Sequence, residues 1–302
     1  MLFQNNLTFI EPPETFRGTL ILESDDGRIG DYTHWLPLLK TKKQKSKWYP
    51  FRYGVSACTA VVTNFNGTSG YTTRTQLQAL VDAGWEMMNH GMNHVGSLSY
   101  ELIGSAKAGD VNIEVFLDSM GTAYDYIIRS NTTQNTEIIR PLTVNGKNII
   151  LTSPLKNDYE EGSFIELTPE NLNTDINGSL DTLISWGFDV KHFVAPFHHV
   201  GPVSLAKIAE RHLTARTTSV GDTNPLPITN KFRMNGALAG TFNDEKIKSF
   251  IDKIYTEDSV AIFYGHGELY GKGSTLDKLV DYAIEKNVRI LTRNEAYLLK
   301  MV

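Results

Sequence analysis

The stretch Gly18-Thr-Leu-Ile-Leu-Glu-Ser-Asp25-Asp26-Gly27 combines an apolar run with two adjacent carboxylates and a glycine. The apolar run predicts a short buried β-strand, and the glycine predicts a turn directly after the carboxylates. Two adjacent side chains on a bending strand end cannot point the same way, so one carboxylate can face a metal ion and the other a water molecule. Because Asp-Gly pairs are also common in ordinary turns, Asp25 and Asp26 indicate a site only together with other polar groups.

Apolar strands and amphipathic helices alternate in the flanking sequence. Helices are predicted over 32–39, 76–83, 169–187, 202–209, 245–255 and 276–285. Strands are predicted over 53–63, 85–88, 191–195, 213–217, 259–264 and 288–291. A polar loop is predicted from residue 218 to about Leu238. Such alternation is typical of parallel strands joined by crossover helices, in which ligands bind at the carboxyl ends of the strands.

Residues 101–167 have a different pattern. Short β runs are separated by turn residues, as at Asn145-Gly146 and Glu161-Gly162, and no convincing helix is predicted. We therefore predict a small antiparallel β module over 101–167, inserted into a discontinuous α/β domain formed by 1–100 and 168–302. The module could bind a glycan, contact a larger assembly or only space the domains.

The composition is that of an ordinary globular protein, with 302 residues, 41% hydrophobic and 21% charged. The net charge of −5 argues against nucleic acid as the main partner, because phosphate binding needs a basic surface. Cys58 is the single cysteine, which excludes an intrachain disulfide and a cysteine-rich metal site. We predict neither a signal peptide over residues 1–7 nor a membrane span, because no apolar stretch approaches roughly 20 residues.

A second polar segment, Asn89-His90-Gly91-Met92-Asn93-His94, follows the strand predicted over 85–88. Histidines four residues apart can present both imidazoles to one side. Two neutral imidazoles and a carboxylate suit zinc and other borderline divalent ions, and leave coordination positions open for water. Together with the carboxylate pair, the segment predicts a divalent metal site.

Two further strand ends carry polar groups. His266 follows the strand over 259–264, where it could donate a proton to a leaving group or simply form a local hydrogen bond. A proline turn in Phe193-Val-Ala-Pro-Phe-His-His can aim a backbone N–H at a developing oxyanion. His198 and His199 could contact substrate or cap the loop.

In this order, the segments resemble the motifs of NodB-homology polysaccharide deacetylases, carbohydrate esterase family 4. Residues 22–27 are similar to a strand followed by Thr-Phe-Asp-Asp-Gly. Residues 84–94 match Gly-x-Glu-x-x-Asn-His-[Ser/Thr]-x-x-His, the most specific of the motifs. Residues 193–198 are similar to Phe-Arg-Pro-Pro-Tyr-Gly, and 262–266 to an apolar strand ending in Leu-x-His. The resemblance covers about residues 15–100 and 168–302.

The resemblance implies a distorted (β/α) barrel with fewer than eight regular strands. It implies a metal-dependent hydrolase that removes acetyl groups from a polysaccharide or cell-wall glycan, by N- or O-deacetylation. Three residues are implied to bind the ion, most often zinc in this family, namely Asp26, His90 and His94. Asp25 would take the proton of the attacking water, the backbone N–H of Phe197 would hold the oxyanion, and His266 would protonate the leaving group.

The sequence departs from the family pattern at the third motif, where Val194 takes the place of the arginine that orients the base and His198 that of the glycine. Arg216, at another strand end, is a candidate replacement and, with His198 and His199, a candidate substrate-binding residue. Asp222 is a candidate acidic partner for the histidine acid. These departures leave an alternative open, a non-catalytic carbohydrate-binding or phage virion structural module on the same scaffold.

Residues 106–115 and 149–155 also resemble small β modules of phage virion and surface proteins. This resemblance favours an extracellular, cell-surface or virion-associated setting, with a larger assembly contacted through the insertion. The expected partner is an acetylated glycan, without nucleic acid and without a membrane span.

Overall fold

A computed structural model of the chain describes residues 16–44, 54–95, 99–116, 120–198, 200–218, 221–267 and 273–299. The strands are β1 Thr19–Ser24, β2 Cys58–Val61, β3 Glu86–Asn89, β4 Ser99–Glu101, β5 Asn112–Glu114, β6 Tyr126–Arg129, β7 Thr136–Ile139, β8 Pro141–Asn145, β9 Asn148–Leu151, β10 Phe164–Leu167, β11 His192–Val194, β12 Thr214–Thr218, β13 Met234–Asn235, β14 Ala237–Leu238, β15 Val260–Gly265 and β16 Arg289–Leu291.

The helices are α1 Leu36–Lys40, α2 Arg74–Asp82, α3 Pro169–Leu172, α4 Gly178–Ser185, α5 Pro202–Ala209, α6 Asp244–Glu257, α7 Thr275–Glu285 and α8 Arg293–Leu298. Turns of π-helix precede α1, at Asp31–Trp35, and join α3 to α4, at Asn173–Asn177. Helix α2 begins at a capping box, in which Thr73 and Gln76 exchange hydrogen bonds. None of the described helices is long and apolar enough to cross a membrane.

Strand β1 is the centre of a parallel sheet. It pairs with β15 along one edge, and with β16 and then β2 along the other. The sheet continues from β2 through β3, β11 and β12 to β13. Only Gly236 separates β13 from β14, and β14 pairs with β15, so the segment 234–238 joins the two sides of the sheet. The sheet is therefore nearly closed, in the distorted (β/α) barrel that was predicted.

The prediction of a polar loop from residue 218 to residue 238 is wrong at its carboxyl end. The structure has β13 and β14 there, and we call the segment 234–238 the closing segment. Two residues in each of β13 and β14 are too few to show a periodic pattern, and their pairing is determined by the neighbouring strands. The strand predicted over 53–63 is shorter, since the structure gives Cys58–Val61 and does not describe residues 51–53.

Strands β4 to β10 form two antiparallel sheets, in the orders β4-β10-β6-β7 and β5-β9-β8. The antiparallel arrangement predicted from the turn residues is confirmed. One hydrophobic cluster contains Tyr100, Tyr126 and Ile165 of these sheets together with Ile176 and Phe193 of the barrel layers. The inserted strands therefore pack directly on the barrel, and the module boundaries at 101 and 167 stay a prediction.

The alternation of side chains along β1 separates the helix-facing surface of the barrel from its interior. Leu20 and Leu22 pack in the cluster formed with the outer helices, whereas Ile21 packs with residues of the barrel interior such as Cys58. By the same alternation, Glu23 and Asp25 face the interior, which places a carboxylate inside the barrel directly below the predicted site.

Candidate metal centre

The three predicted metal ligands converge at the carboxyl ends of β1 and β3. Nε2 of His90 lies 3.4 Å, and Nε2 of His94 3.1 Å, from Oδ1 of Asp26. One ligand atom from each residue lies within 4.8 Å of the others. Oδ1 of Asp26 is buried, and no hydrogen bond of acceptable geometry reaches it from the described residues. One carboxylate oxygen and two imidazole nitrogens around an unsatisfied oxygen fit a borderline divalent cation.

The orientation of His90 is fixed by the neighbouring strand. Its Nδ1 lies 2.8 Å from the carbonyl oxygen of Val194. Because a carbonyl oxygen can only accept, Nδ1 carries the proton and the lone pair of Nε2 is directed to the site. Val194 thus contributes its backbone to the site, although its side chain lacks the charge of the arginine that the family motif has there.

The other oxygen of Asp26 has partners of its own. Oδ2 accepts hydrogen bonds from Arg28, at 3.0 Å from Nε and 2.9 Å from Nη2, and the guanidinium lies over the ring of Tyr71. This arrangement leaves Oδ1 as the oxygen that faces His90 and His94. Arg28 was not predicted as a site residue, although an arginine two residues after a candidate ligand is a usable signal.

The backbone at the site is strained. Asp26, His94, Phe197 and His198 have φ values of 73°, 61°, 56° and 64°, in the left-handed region that non-glycine residues rarely adopt. Each such residue costs on the order of 1–3 kcal/mol, and clusters of them are typical of functional sites. The strain brings side chains from three separate loops into one place.

Asp25 is held beside the metal centre by Arg216. The fully buried guanidinium donates to Oδ1 of Asp25 through Nη2 and, at 2.8 Å, to Oε2 of Glu23 through Nε. Strand register pairs Arg216 with Val194, so the guanidinium comes from the adjacent strand at the same height in the barrel. Arg216 therefore makes the contact for which it was considered a replacement.

Charge neighbours decide the ionisation of Asp25. Burial opposes the ionised form, but Arg216, His90 and His198 outweigh it and hold the pKa of the Asp25 carboxyl below its usual value. Asp25 is therefore a carboxylate at neutral pH, in position to accept a proton.

A chain of buried charges continues below Asp25. Glu23 accepts hydrogen bonds from Arg216 and, through Oε1, from Nε of Arg293 at 2.9 Å. Nη1 of Arg293 donates to the carbonyl of Phe193 at 3.1 Å. The four side chains from Asp25 to Arg293 carry two negative and two positive charges, which balance inside the barrel. Glu23 and Arg293 were not predicted as site residues, because they are distant from each other in the chain.

The remaining predicted site residues lie around the opening. Nε2 of His266 is 3.5 Å from Oδ2 of Asp26, and the side chain is 41% exposed. Phe197 is 43% exposed and packs edge-on against His94, with ring centroids 4.5 Å apart. Nδ1 of His198 lies 3.3 Å from Nη1 of Arg216. His199 lies outside the described residues.

Asp222 is placed on the surface. It pairs with Lys253 and accepts a hydrogen bond from the backbone of Thr223 at 2.8 Å. The Asp222 carboxylate therefore pairs with Lys253 and the backbone of Thr223 rather than with His266.

His212 contacts Asn89, the residue that precedes the candidate metal ligand His90. Its Nδ1 donates to the carbonyl of Ile208 at 3.0 Å, so Nε2 can accept from Nδ2 of Asn89 at 3.1 Å. Burial lowers the pKa of His212 from 6.5 to about 4. Below pH 6.5 the unfolded chain binds a proton that the folded chain does not, so stability falls as the pH falls. At pH 5 one such group costs about 2 kcal/mol.

We therefore expect His212→Gln to reduce the loss of unfolding free energy between pH 7 and pH 5, measured by urea denaturation at both values. The dependence should decrease rather than vanish, because burial also lowers the pKa of His192, to about 2. His34→Gln, at an exposed position, should keep the dependence of the parent. An equal difference between the two pH values in parent and His212→Gln would contradict the prediction.

The fold and site define a distorted (β/α)-barrel protein with one aspartate and two histidines converging at the carboxyl ends of its strands. No protein-family model and no curated protein matches the sequence.

Similar solved structures include carbohydrate esterases of the family that the motifs resemble. One is a family 4 carbohydrate esterase from Streptomyces lividans in complex with acetate, with 12% identity, a TM-score of 0.47, and coverage of 92% of this chain and 93% of that chain. Another is a polysaccharide deacetylase from Bacillus cereus, with 13% identity, a TM-score of 0.39, and coverage of 72% of this chain and 46% of that chain. A third is a family 4 pseudoenzyme from Bacillus anthracis, with 8% identity, a TM-score of 0.47, and coverage of 92% of this chain and 65% of that chain. The matches thus span about half of the Bacillus cereus chain and just under two thirds of the Bacillus anthracis chain.

Proposed function

We propose that the protein is a metal-dependent hydrolase that removes acetyl groups from a polysaccharide or cell-wall glycan. The observation that carries the proposal is the position of Asp25. Its carboxylate is ionised and lies next to the three candidate metal ligands, but it is paired with Arg216 instead of joining them. A ligand set beside a separate, oriented base is the arrangement that metal-assisted hydrolysis needs.

We assign the metal ion to Asp26, His90 and His94, with Zn²⁺ as the favoured ion for two imidazoles and a carboxylate. When bound, such an ion polarises a carbonyl group and lowers the pKa of a coordinated water. The carboxylate of Asp25 takes the proton of the attacking water. Because Arg216 is fully buried, we assign it to the orientation of Asp25 in place of the predicted substrate contact.

We assign the remaining steps to groups at the opening. His266, next to the metal ligands and partly exposed, protonates the departing sugar nitrogen or oxygen. The backbone N–H of Phe197 stabilises the oxyanion of the tetrahedral intermediate. His198 is the candidate substrate contact on the same loop, and His199 remains a candidate from its sequence position alone.

The alternative is a non-catalytic carbohydrate-binding or virion structural module. Its main support was Val194, since the family arginine is missing there. The pair between Arg216 and Asp25 provides a guanidinium at the same height, and this favours the hydrolase.

Removal of the metal is expected to abolish acetate release. The experiment measures acetate from peptidoglycan, chitin-like oligomers, capsule and teichoic acid before chelation, after chelation and after addition of Zn²⁺, together with metal content per chain. His90→Ala should lose both metal and activity, whereas His34→Ala, at an exposed position, should keep both. Acetate release that persists in chelated protein and in His90→Ala would overturn the proposal.

A further inference from the structure

The metal-binding segment rests on a buried carboxylate from a distant helix. Asp175 lies in the π-helical turn Asn173–Asn177 and is fully buried. Its Oδ1 accepts a hydrogen bond from the backbone N–H of Asn93 at 3.0 Å, between the two metal-binding histidines. A π-helical turn widens a helix locally and is frequent at functional sites. Here it places a carboxylate under the segment 90–94.

Gly91 is the residue that allows this contact. It has a φ of +80°, and a Cβ atom there would lie 2.5 Å from Oδ2 of Asp175. The motif that residues 84–94 match has serine or threonine at this position. The Asp175 carboxylate thus fills the space that the side chain of the motif would need, and the glycine and the aspartate depend on each other.

Tyr124 connects this contact to the inserted β module. Its hydroxyl donates to Oδ1 of Asp175 at 3.0 Å and accepts from Nδ2 of Asn93. Asn93 is held from the other side as well, since its Oδ1 accepts from Nδ2 of Asn64 at 2.6 Å. A residue of the module, a residue of the helix and a residue of the metal-binding segment therefore share one set of hydrogen bonds.

The buried Asp175 carboxylate and the strained segment 90–94 both lower the stability of the fold, so stability does not explain why they are present. Oδ2 of Asp175 is buried and no hydrogen bond of normal geometry reaches it from the described residues, and a buried polar atom that is poorly satisfied destabilises a fold. The segment that it supports is strained, with His94 at a φ of 61°. Strained backbone persists only where its surroundings determine it, and Asp175 and Tyr124, through Asn93, are part of those surroundings.

We propose that Asp175 and Tyr124 form a clamp, a pair of positioning residues that holds His90 and His94 in metal-binding geometry. The inserted module is thereby a structural part of the metal site rather than a spacer. The inference rests on the proposed function only in that the segment 90–94 binds a metal ion.

The test is the affinity for Zn²⁺ and Co²⁺, measured on the full chain by competition with a chelator, together with the visible spectrum of the Co²⁺-loaded protein. Tyr124→Phe removes one hydroxyl, and Asp175→Ala removes the acceptor. Both should weaken metal binding, by about 10- to 100-fold, the range typical of groups that orient metal ligands. Asp175→Asn keeps an acceptor oxygen and should recover part of the affinity.

Tyr126→Phe is the matched control. Its hydroxyl accepts from the backbone N–H of Gly121 at 2.9 Å and donates to the carbonyl oxygen of Gly121 at 3.2 Å, inside the same module. This variant tests whether the loss of a buried hydroxyl elsewhere in the module is sufficient to weaken metal binding. It should bind metal as the parent does. Parent-like affinity in both Tyr124→Phe and Asp175→Ala would overturn the clamp. A parent that binds metal but releases no acetate overturns the proposed function and leaves the clamp intact, and a parent that binds no metal overturns both.

Discussion

Asp25→Asn is expected to lower kcat/KM for acetate release by about 100- to 10,000-fold while one metal ion per chain is retained. The size is that of a lost general base. Asparagine keeps the shape of the side chain but cannot take the proton of the attacking water. The metal should stay, because its candidate ligands are Asp26, His90 and His94. Acetate release and metal content, measured on the same preparation, check both halves of the prediction.

A loss of folding must be separated from a loss of the base. Arg216 and other charge neighbours hold the pKa of Asp25 below its usual value, so its carboxylate contributes stability at neutral pH that asparagine cannot provide. Activity should therefore be compared at a temperature where thermal unfolding shows both proteins to be folded. Asp222→Asn removes a carboxylate paired with Lys253 at the surface and should be as active as the parent. Full activity in Asp25→Asn, or inactivity that follows loss of metal, would contradict the assigned role.

The parts of the fold that were predictable are those with a local signal. Alternating strands and helices leave a periodic pattern, so β1, β15 and the helices between them could be placed from the sequence. The closing segment 234–238 could not, because its pairing depends on two strands that are distant in the chain. Residues whose conformation is imposed by their neighbours carry little periodic signal of their own.

The candidate site likewise has residues that the sequence indicates and residues that only the fold brings together. Asp25 and Asp26 are adjacent, and His90 and His94 are four residues apart, so the two pairs taken together indicated the site. The groups that orient them come from elsewhere. Arg293 is 270 residues from Glu23, and no spacing rule connects the two. Only the fold shows that both side chains enter one barrel interior.

Arg216 provides a guanidinium beside Asp25, although the position matched to the arginine of the family motif is Val194. Register pairs Arg216 with Val194 on the neighbouring strand. The Asp25 carboxylate requires a donor at that height in the barrel, and Arg216 supplies it. An alignment of motifs compares positions along the chain, so it records a loss at Val194 and no gain at Arg216.

Arg216→Met is expected to lower the free energy of unfolding by about 3–5 kcal/mol at pH 7, because it leaves buried carboxylates without their partner. The side chain is fully buried and contacts both Glu23 and Asp25. Urea denaturation measures the effect. Arg211→Met is the matched control, since Arg211 pairs with Asp181 at 2.7 Å on the surface, where such a pair contributes about 0–1 kcal/mol.

Arg216→Lys separates charge from geometry. Lysine keeps the positive charge, but its single ammonium group lacks the planar fork that lets Arg216 donate to Glu23 and Asp25 together. We expect it to recover part of the stability while kcat/KM stays low, because Asp25 would remain ionised but poorly oriented. Equal losses of stability in Arg216→Met and Arg211→Met would show that the buried charges do not depend on Arg216. Parent-like kcat/KM in Arg216→Lys would show that a charge alone is sufficient to place the base.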